Sequence, residues 1–317
     1  MVSFMVRRFL QALIVVLGVT LIAFILQNLI ASGPELARAI IGPKATRQQV
    51  STFIAQYGLN HPVFVQYLHY LGQLLRGNLG YSYKLNEPVR QIIAAELPKD
   101  AFIVGVALVL SILISVPLGI WQAVRRNKMA DHVGTVVAFV FYSMPSYWLA
   151  LLLISAFAVT WRVLPAEGSQ GTTLGAMLTN PAGLVLPILA LTLVNCALFS
   201  RYMRSAAIET LAQDYIRTAR AKGAPRFRIL RKHLLRNSLV PVTTMVGLSL
   251  PGVLTAGVVI EFVFNIQGIG LSFYTAATTS DYPVELGITI LVGLVTVLGN
   301  LFADVMYAVL DPRVRYD

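Results

Sequence analysis

Six long apolar blocks alternate with polar connections along the chain. They cover Phe9–Ile30, Phe102–Val124, Val133–Trp161, Leu184–Tyr202, Leu239–Phe264 and Val284–Val309. An α-helix needs about 20 apolar residues to cross a bilayer. The pattern therefore predicts an all-α, polytopic membrane protein with six transmembrane helices. Pro117, Pro145, Pro187, Pro241 and Pro251 fall inside these blocks. Membrane helices tolerate proline because neighbouring groups satisfy the freed carbonyls. The third block is long, which predicts a tilt or a kink near Ser143-Met144-Pro145. Arg7 and Arg8 precede the first block as in a signal peptide. The block is too long for such a leader and no small-x-small cleavage site follows, so it reads as a retained helix.

The connection after the first block, residues 32–100, is polar but patterned. Thr46-x-x-Gln49 is a capping box, in which two orphan N–H groups of a helix start are satisfied reciprocally. Val50, Phe53, Ile54 and Tyr57 then recur at helical spacing, and Gly58 fits a left-handed C′ position. A second helix is predicted over Pro62–Arg76, with Val65, Leu68, Leu71 and Leu75 on one face. A third is predicted from Glu87-Pro88 to Leu97, with proline in its first turn. This small helical domain has two readings: a docking surface on the outer face, or a plug that packs on the bundle. The divisions expected are 1–31 for the first span, 32–100 for the outer loop, 101–309 for a five-helix core and 310–317 for a tail. The core includes an inner loop at 203–238.

Composition agrees with the pattern. Of 317 residues, 56% are hydrophobic and only 12% charged, about half the usual charged share of a soluble domain. Mean hydropathy is +0.71. The net charge of +11 would suggest nucleic acid in a soluble protein. Here it follows the positive-inside rule. With the N-terminus inside, 17 of the 25 basic residues face the cytoplasm, and Arg162 alone lies in a short outer loop. Both termini are then cytoplasmic. Cys196 is single and cannot form an internal disulfide, and the four histidines have no metal-ligand spacing.

Several chemistries are missing. There is no G-x-x-x-x-G-K-[ST] phosphate loop, so ATP hydrolysis is not expected on this chain. No span carries a central Lys or Arg or an acidic pair, which ion-coupled transporters need. Glu261 and Asp304 lie near span ends, and Asn195 and Asn300 sit within spans, where interhelical hydrogen bonding is the default role. No span pairs a histidine with a nucleophile, against an intramembrane protease.

The inner loop between the fourth and fifth blocks is the most informative stretch. Ile208, Leu211, Ala212, Tyr215, Ile216 and Ala219 predict one amphipathic helix. Arg217, Arg220 and Lys222 fall in its last turns, Gly223 supplies the C′ residue and Pro225 the stop. A second basic helix is predicted over Arg226–Asn237. Periodicity alone leaves two partners open, an anionic lipid surface or a groove on a cytoplasmic protein.

The run Asp214-Tyr-Ile-Arg-Thr-Ala-Arg-Ala-Lys-Gly223, with His233-Leu-Leu-Arg-Asn237 and Leu239-Val-Pro241, closely resembles the coupling loop of ABC importer permeases. It is most similar to the B-type permeases of the dipeptide, oligopeptide and nickel group. Tyr57-Gly-Leu-Asn60, Gln66-Tyr-Leu68, Gly77-Asn-Leu-Gly80, Ser143-Met-Pro-Ser-Tyr-Trp-Leu149 and Leu164-Pro-Ala-Glu-Gly168 match in the family's order. So do Glu261-Phe-Val-Phe264, Gly268-Ile-Gly270 and Asp304–Arg313. The chain departs at Asn60 and Asn78, where the family commonly has aspartate, and at Gln267, where it commonly has proline.

The resemblance implies a type I ABC importer permease fold and a subunit that hydrolyses nothing itself. It implies a second homologous permease, one or two cytoplasmic ATPase subunits that hold ATP and Mg, and an extracytoplasmic substrate-binding protein. No cofactor is expected on this chain. Tyr215, Ile216, Arg217, Thr218, Ala219, Arg220, Ala221, Lys222, Gly223 and Ala224 would couple to the ATPase, with Tyr215 and Ile216 facing it. Ser143, Met144, Pro145, Ser146, Asn195, Ser249, Pro251 and Thr255 would line the translocation path, with plain helix packing as the alternative. Asn60, Asn78, Glu261 and Gln267 would dock the binding protein. Peptides are the expected cargo, with nickel chelates or glutathione-like solutes as alternatives. A stand-alone secondary transporter or channel, and a lipid-holding scaffold, are the readings from other classes.

Overall fold

A computed structural model describes the backbone of residues 2–30, 33–42, 44–56 and 58–310. Side chains are described over the same stretches apart from residues 2–6, 8, 9, 12, 30, 39, 40, 248–256 and 303–310. The expectations for Tyr57, Ser249, Pro251, Thr255, Asp304, Arg313 and Arg315 fall outside the described side chains.

The chain is helical almost throughout. In order it forms α1 (Val2–Ile30), α2 (Gly33–Ile41), α3 (Arg47–Gln56) and α4 (Val63–Leu75). A two-stranded antiparallel ladder follows, β1 (Tyr81–Ser82) with β2 (Glu87–Pro88), in the register Tyr81↔Pro88 and Ser82↔Glu87. Then come α5 (Val89–Val124), α6 (Met129–Ser143) and α7 (Ser146–Leu153), which passes into a π-helical stretch at Ile154–Thr160. The rest comprises α8 (Leu174–Leu178), α9 (Ala182–Leu211), α10 (Asp214–Ala221), α11 (Arg226–Arg228), a second π-helical stretch at Ile229–Leu235, α12 (Arg236–Phe264), α13 (Ile269–Thr279) and α14 (Tyr282–Leu310).

The six expected spans correspond to α1, α5, the α6–α7 pair, α9, α12 and α14. Among the described residues, Val89–Val124, Ala182–Leu211 and Tyr282–Phe302 are each long and apolar enough to cross a bilayer unbroken, and α1 carries an apolar stretch at Leu13–Leu29. The third expected span bends where the kink is expected, into two helices meeting at 104°. Pro145 forces this corner, because it lacks an N–H and biases Met144 to extended backbone (ψ 128°).

Three expectations change. The third outer helix does not exist separately. Glu87 and Pro88 pair in the ladder, and α5 then runs from Val89 through Pro98 to Val124. The amphipathic helix expected over 208–219 is two helices, broken at Ala212-Gln213. The basic helix expected over 226–237 does not stop but continues into α12. The elements α2, α8 and α13 carry no strong sequence signal.

The chain divides into two compact units. The first takes residues 1–99, 172–174 and 267–297, and the second takes 100–171, 175–266 and 298–317. In the first unit the capping box forms as read: Thr46 N–H donates to Gln49 Oε1 (2.8 Å) and Gln49 N–H to Thr46 Oγ1 (3.2 Å). Gly58 takes φ +65°. Val50 and Phe53 of α3 bury against Ala37 of α2. The hydroxyls of Thr20 and Tyr67 meet at 3.0 Å and pin α4 to α1. The main core of this unit is Val89, Ile92 and Ile93 of α5 against Ile269, Ala276, Val284 and Ile288. Two buried acids are tied there: Ser82 donates to Asp281, and Ser272 donates to Glu96 Oε1 at 2.7 Å.

In the second unit α9 is the hub, packed by α6, α7 and α12. Phe199, Met203, Val242 and Val246 form its core, with Ile112, Val116 and Ile120 of α5 against them. Gly119 makes the α5–α9 crossing possible. A Cβ there would lie 2.7 Å from Met203 Cβ and 2.8 Å from the Ser200 carbonyl. Arg204 of α9 grips Asp131 of α6 with both nitrogens, Nε–Oδ1 at 2.6 Å and Nη2–Oδ2 at 2.8 Å. The Asn127 N–H adds a third bond to the same carboxylate (3.0 Å).

Candidate functional site

The inner loop is built by three stops in sequence. The last turn of α9 closes at Ala212, Gln213 is extended, and α10 begins at Asp214, whose carboxylate suits the positive end of a helix. After Ala221 the chain must reverse. Gly223 does this at φ +75°, with its N–H on the Arg220 carbonyl (2.9 Å) and the Ala224 N–H on the Ala219 carbonyl (3.1 Å). Left-handed backbone is costly for residues with a Cβ, so glycine fits here for a physical reason. Pro225 then opens α11.

This fixes which side chains the loop presents. Tyr215 is 42% exposed, and Arg217, Thr218, Arg220, Ala221, Lys222 and Gly223 are exposed. Ala219 and Ala224 are half-buried. Ile216 is fully buried within its own unit, which corrects the expectation that it faces outward beside Tyr215. At helical spacing neighbouring residues point about 100° apart, so the two cannot share a face.

Tyr215 has a second tie. Its hydroxyl accepts a hydrogen bond from Asn237 Nδ2 (2.9 Å), which also donates to the His233 carbonyl (3.0 Å). The exposed face of α10 is thereby linked to the π-helical stretch and the base of α12. The exposed Arg217–Asp214 pair at 3.5 Å adds little. Beside α10 a cleft of about 420 Å³ is walled by Arg220, Arg226, Leu211, Ile229 and Leu230. Between residues 212 and 238 the chain holds eight Lys and Arg against one Asp, so a matching surface carries negative charge.

The residues expected along the path differ in exposure. Ser143, Met144, Pro145 and Ser146 form the α6–α7 corner, with Ser143 and Pro145 exposed and Met144 and Ser146 half-buried. Asn195 is half-buried on α9.

The residues expected to dock the binding protein also divide. Asn60, Asn78 and Gln267 are exposed. Asn78 is tied down, its Nδ2 donating to Gln73 Oε1 (2.7 Å) and its Oδ1 accepting from Gly80 N–H (3.0 Å). Glu261 is only 4% exposed, buried in its own unit, which removes it from a docking surface. Two quoted motifs do meet: Gly168 N–H donates to the Phe264 carbonyl (2.7 Å) and Gln170 Nε2 to the Asn265 carbonyl (2.8 Å). Asn265 ends α12 in the left-handed conformation (φ 52°).

Sequence reading missed the Asp131–Arg204 pair and both π-helical stretches. The pair is 73 residues apart in the chain and shows no local signal.

Comparison with known proteins covers the whole chain. Residues 115–316 match the family described as binding-protein-dependent transport system inner membrane component. Residues 1–104 match that family's N-terminal model. An oligopeptide transport system permease protein of Bacillus subtilis (AppB) is 36% identical over 318 residues, 100% of each chain. An oligopeptide permease of Salmonella typhimurium (OppB) is 35% identical over 317 residues, again 100% of each. A dipeptide permease of Escherichia coli (DppB) is 30% identical, covering 100% of this chain and 99% of its own. Among solved structures, the inward-facing MetNI methionine ABC transporter matches with TM-score 0.53 and 18% identity, over 68% of this chain and 96% of its own. That likeness gives the fold.

Proposed function

The chain belongs to the binding-protein-dependent transport system inner membrane component family and is an integral membrane permease, and from that premise we propose that it is the non-catalytic permease subunit of an ATP-driven importer of di- and oligopeptides. One observation carries the peptide reading: end-to-end likeness to relatives named as oligopeptide and dipeptide permeases. The chain sits in the plasma membrane with both termini cytoplasmic, half of a translocation pathway completed by a second permease.

The partners follow from the chemistry. With no phosphate loop in the sequence, energy arrives from a cytoplasmic ATPase that holds ATP and Mg. The exposed basic face of α10 is its docking surface: Tyr215, Arg217, Thr218, Arg220, Ala221 and Lys222 contact an acid-lined groove. Ile216, Ala219 and Ala224 hold α10 to the bundle behind. Closure of the ATPase pair moves α10 as a rigid body. The Gly223 turn and the Tyr215–Asn237 bond pass the displacement to α12, and the Asp131–Arg204 grip carries α6 with α9. The helices rock between discrete packings, opening the pathway to one side at a time. Ser143–Ser146 and Asn195 face that pathway, and Asn60, Asn78 and Gln267 meet the binding protein.

The test is mass spectrometry of what co-purifies with the tagged chain in mild detergent, paired with uptake of radiolabelled Gly-Phe-Gly by cells. A second permease, an ATPase and ATP-dependent uptake are expected. The chain alone, with no uptake, overturns the proposal.

A further inference from the structure

The first unit holds a half-open pocket of about 140 Å³, and of its lining residues the mechanism above uses only Asn78. Five rings line it: Phe24 from α1, Phe53 from α3, Tyr70 from α4, and Tyr81 and Tyr83 from the ladder turn. The rings hold one another in place. Phe24 stacks on Tyr70 at 5.5 Å, Tyr83 meets Phe53 edge-on at 5.9 Å, and Tyr81 meets Tyr83 edge-on at 5.1 Å. Burial, with Tyr67 alongside, pushes the Tyr70 phenol above its ordinary range, so it stays neutral.

The polar part of the wall is equally uncharged. Among the described residues that line it there is no Asp, Glu, Lys or Arg. The polar groups are amides, one imidazole and the phenols of Tyr70, Tyr81 and Tyr83, and several are already engaged. Gln73 pairs with Asn78 and with His69 Nε2 (3.0 Å), and Gln66 Nε2 donates to the His61 carbonyl (2.8 Å). Gln27 differs: its Oε1 is buried and has no hydrogen-bond partner among the described residues. A buried acceptor left unpaired is unfavourable, and a ligand N–H in the cavity would satisfy it.

We propose that this cavity is an extracytoplasmic subsite for one uncharged aromatic or aliphatic side chain of the transported peptide, with a peptide N–H donating to Gln27 Oε1. The size fits, since a cavity of roughly 150 Å³ holds a benzene ring. The electrostatics fit as well. A Lys or Glu side chain would lose its hydration and find no counter-charge in the wall. A phospholipid phosphate meets the same obstacle, which favours a peptide over a lipid headgroup. The inference rests on the peptide-import reading and narrows it: peptides with an apolar residue are taken up in preference to charged ones.

The test uses the full-length chain in nanodiscs, photolabelled with Gly-Bpa-Gly, where Bpa is p-benzoylphenylalanine. Adducts are expected within residues 24–28 or 66–83. Excess Gly-Phe-Gly removes most of the labelling, while Gly-Lys-Gly and Gly-Glu-Gly do not. Gln27→Leu lowers labelling about tenfold, and Tyr83→Ala, at the rim, gives a second loss should Gln27→Leu fail to reach the membrane. Adducts elsewhere, equal competition by Gly-Lys-Gly, or full labelling of both variants overturn the subsite. So does displacement of the probe by added phosphatidylethanolamine, which assigns the cavity to lipid. Uptake of Gly-Phe-Gly by cells separates the two ideas. Uptake with labelling outside the cavity removes the subsite alone, and absence of uptake in the wild type removes the import reading.

Discussion

Gly223 offers the sharpest test of the coupling turn. Its φ of +75° lies in the left-handed region, and a Cβ built there meets nothing within 4 Å. Steric collision within the chain is therefore excluded as the cause of any effect of alanine, leaving the backbone term as the intramolecular cost. That term is about 1–2 kcal/mol for an ordinary L residue and less for Asn or Asp, whose short polar side chains tolerate the conformation. If the strain is relieved by an alternative turn, the fraction of loops in the working geometry falls by a factor of about 5–30. Gly223→Ala should then retain a minor share of uptake, Gly223→Val less, and Gly223→Asn most. Gly223→Asp separates conformation from docking. Its backbone cost resembles that of Asn, but it places a negative charge on the face proposed to meet an acidic groove, so it should reach the membrane yet leave transport uncoupled. The assay is ATP-dependent peptide uptake normalised to chain content in the membrane, with basal ATPase activity alongside. Uptake of Gly223→Val equal to wild type would refute the turn's role. Equal behaviour of Asn and Asp would refute an acidic docking groove.

Other expectations follow from buried contacts. Arg204→Ala leaves the Asp131 carboxylate, whose side chain is 2% exposed, without its partner, whereas Asp131→Ala leaves an arginine that is 28% exposed and can reach water. Arg204→Ala should thus be the more destabilising, by about 3 kcal/mol, read as the larger drop in melting temperature in detergent. Gly119→Ala forces a Cβ against Met203 and the Ser200 carbonyl and should cost about 1–3 kcal/mol, checked by the same melt. Ile216→Ala removes a fully buried side chain and should cost about 2–5 kcal/mol. Tyr215→Ala should change stability little but weaken recovery of the ATPase in pull-downs, and a reversal of that pair would exchange their roles.

The parts legible in the sequence are those decided by a few adjacent residues. Thr46 and Gln49 make their box, Gly58 and Gly223 turn left-handed, and Pro145 breaks the third block. The misread parts turn on distant contacts. The run Glu96-Leu-Pro-Lys-Asp100 looks like the end of a loop because it is charged and holds proline. It stays helical with Glu96, Lys99 and Asp100 buried, and Glu96 Oε1 accepts a hydrogen bond from Ser272. The break at Ala212-Gln213 is invisible for the opposite reason: apolar spacing continues across it, so periodicity sees one helix. Within 215–224 the apolar spacing does not tell which residues turn outward, because the inward direction of Ile216 depends on where that break falls. The outer cavity had no signature, since its rings come from four separate segments.

Helical backbone runs without interruption from Arg226 to Phe264, and this imposes a phase condition on variation. Each residue of an α-helix advances the chain by 1.5 Å and turns it by about 100°. Inserting one residue at the start of α12 would rotate Val242 and Val246 away from Phe199 and Met203 of α9. It would also shift Phe264 and its bond to Gly168. Compensation would require a second change of equal length before the helix ends. Insertions and deletions should therefore be nearly absent between 226 and 264 in functional homologues. They should accumulate around residues 44–46 and 60–62, which lie between helices.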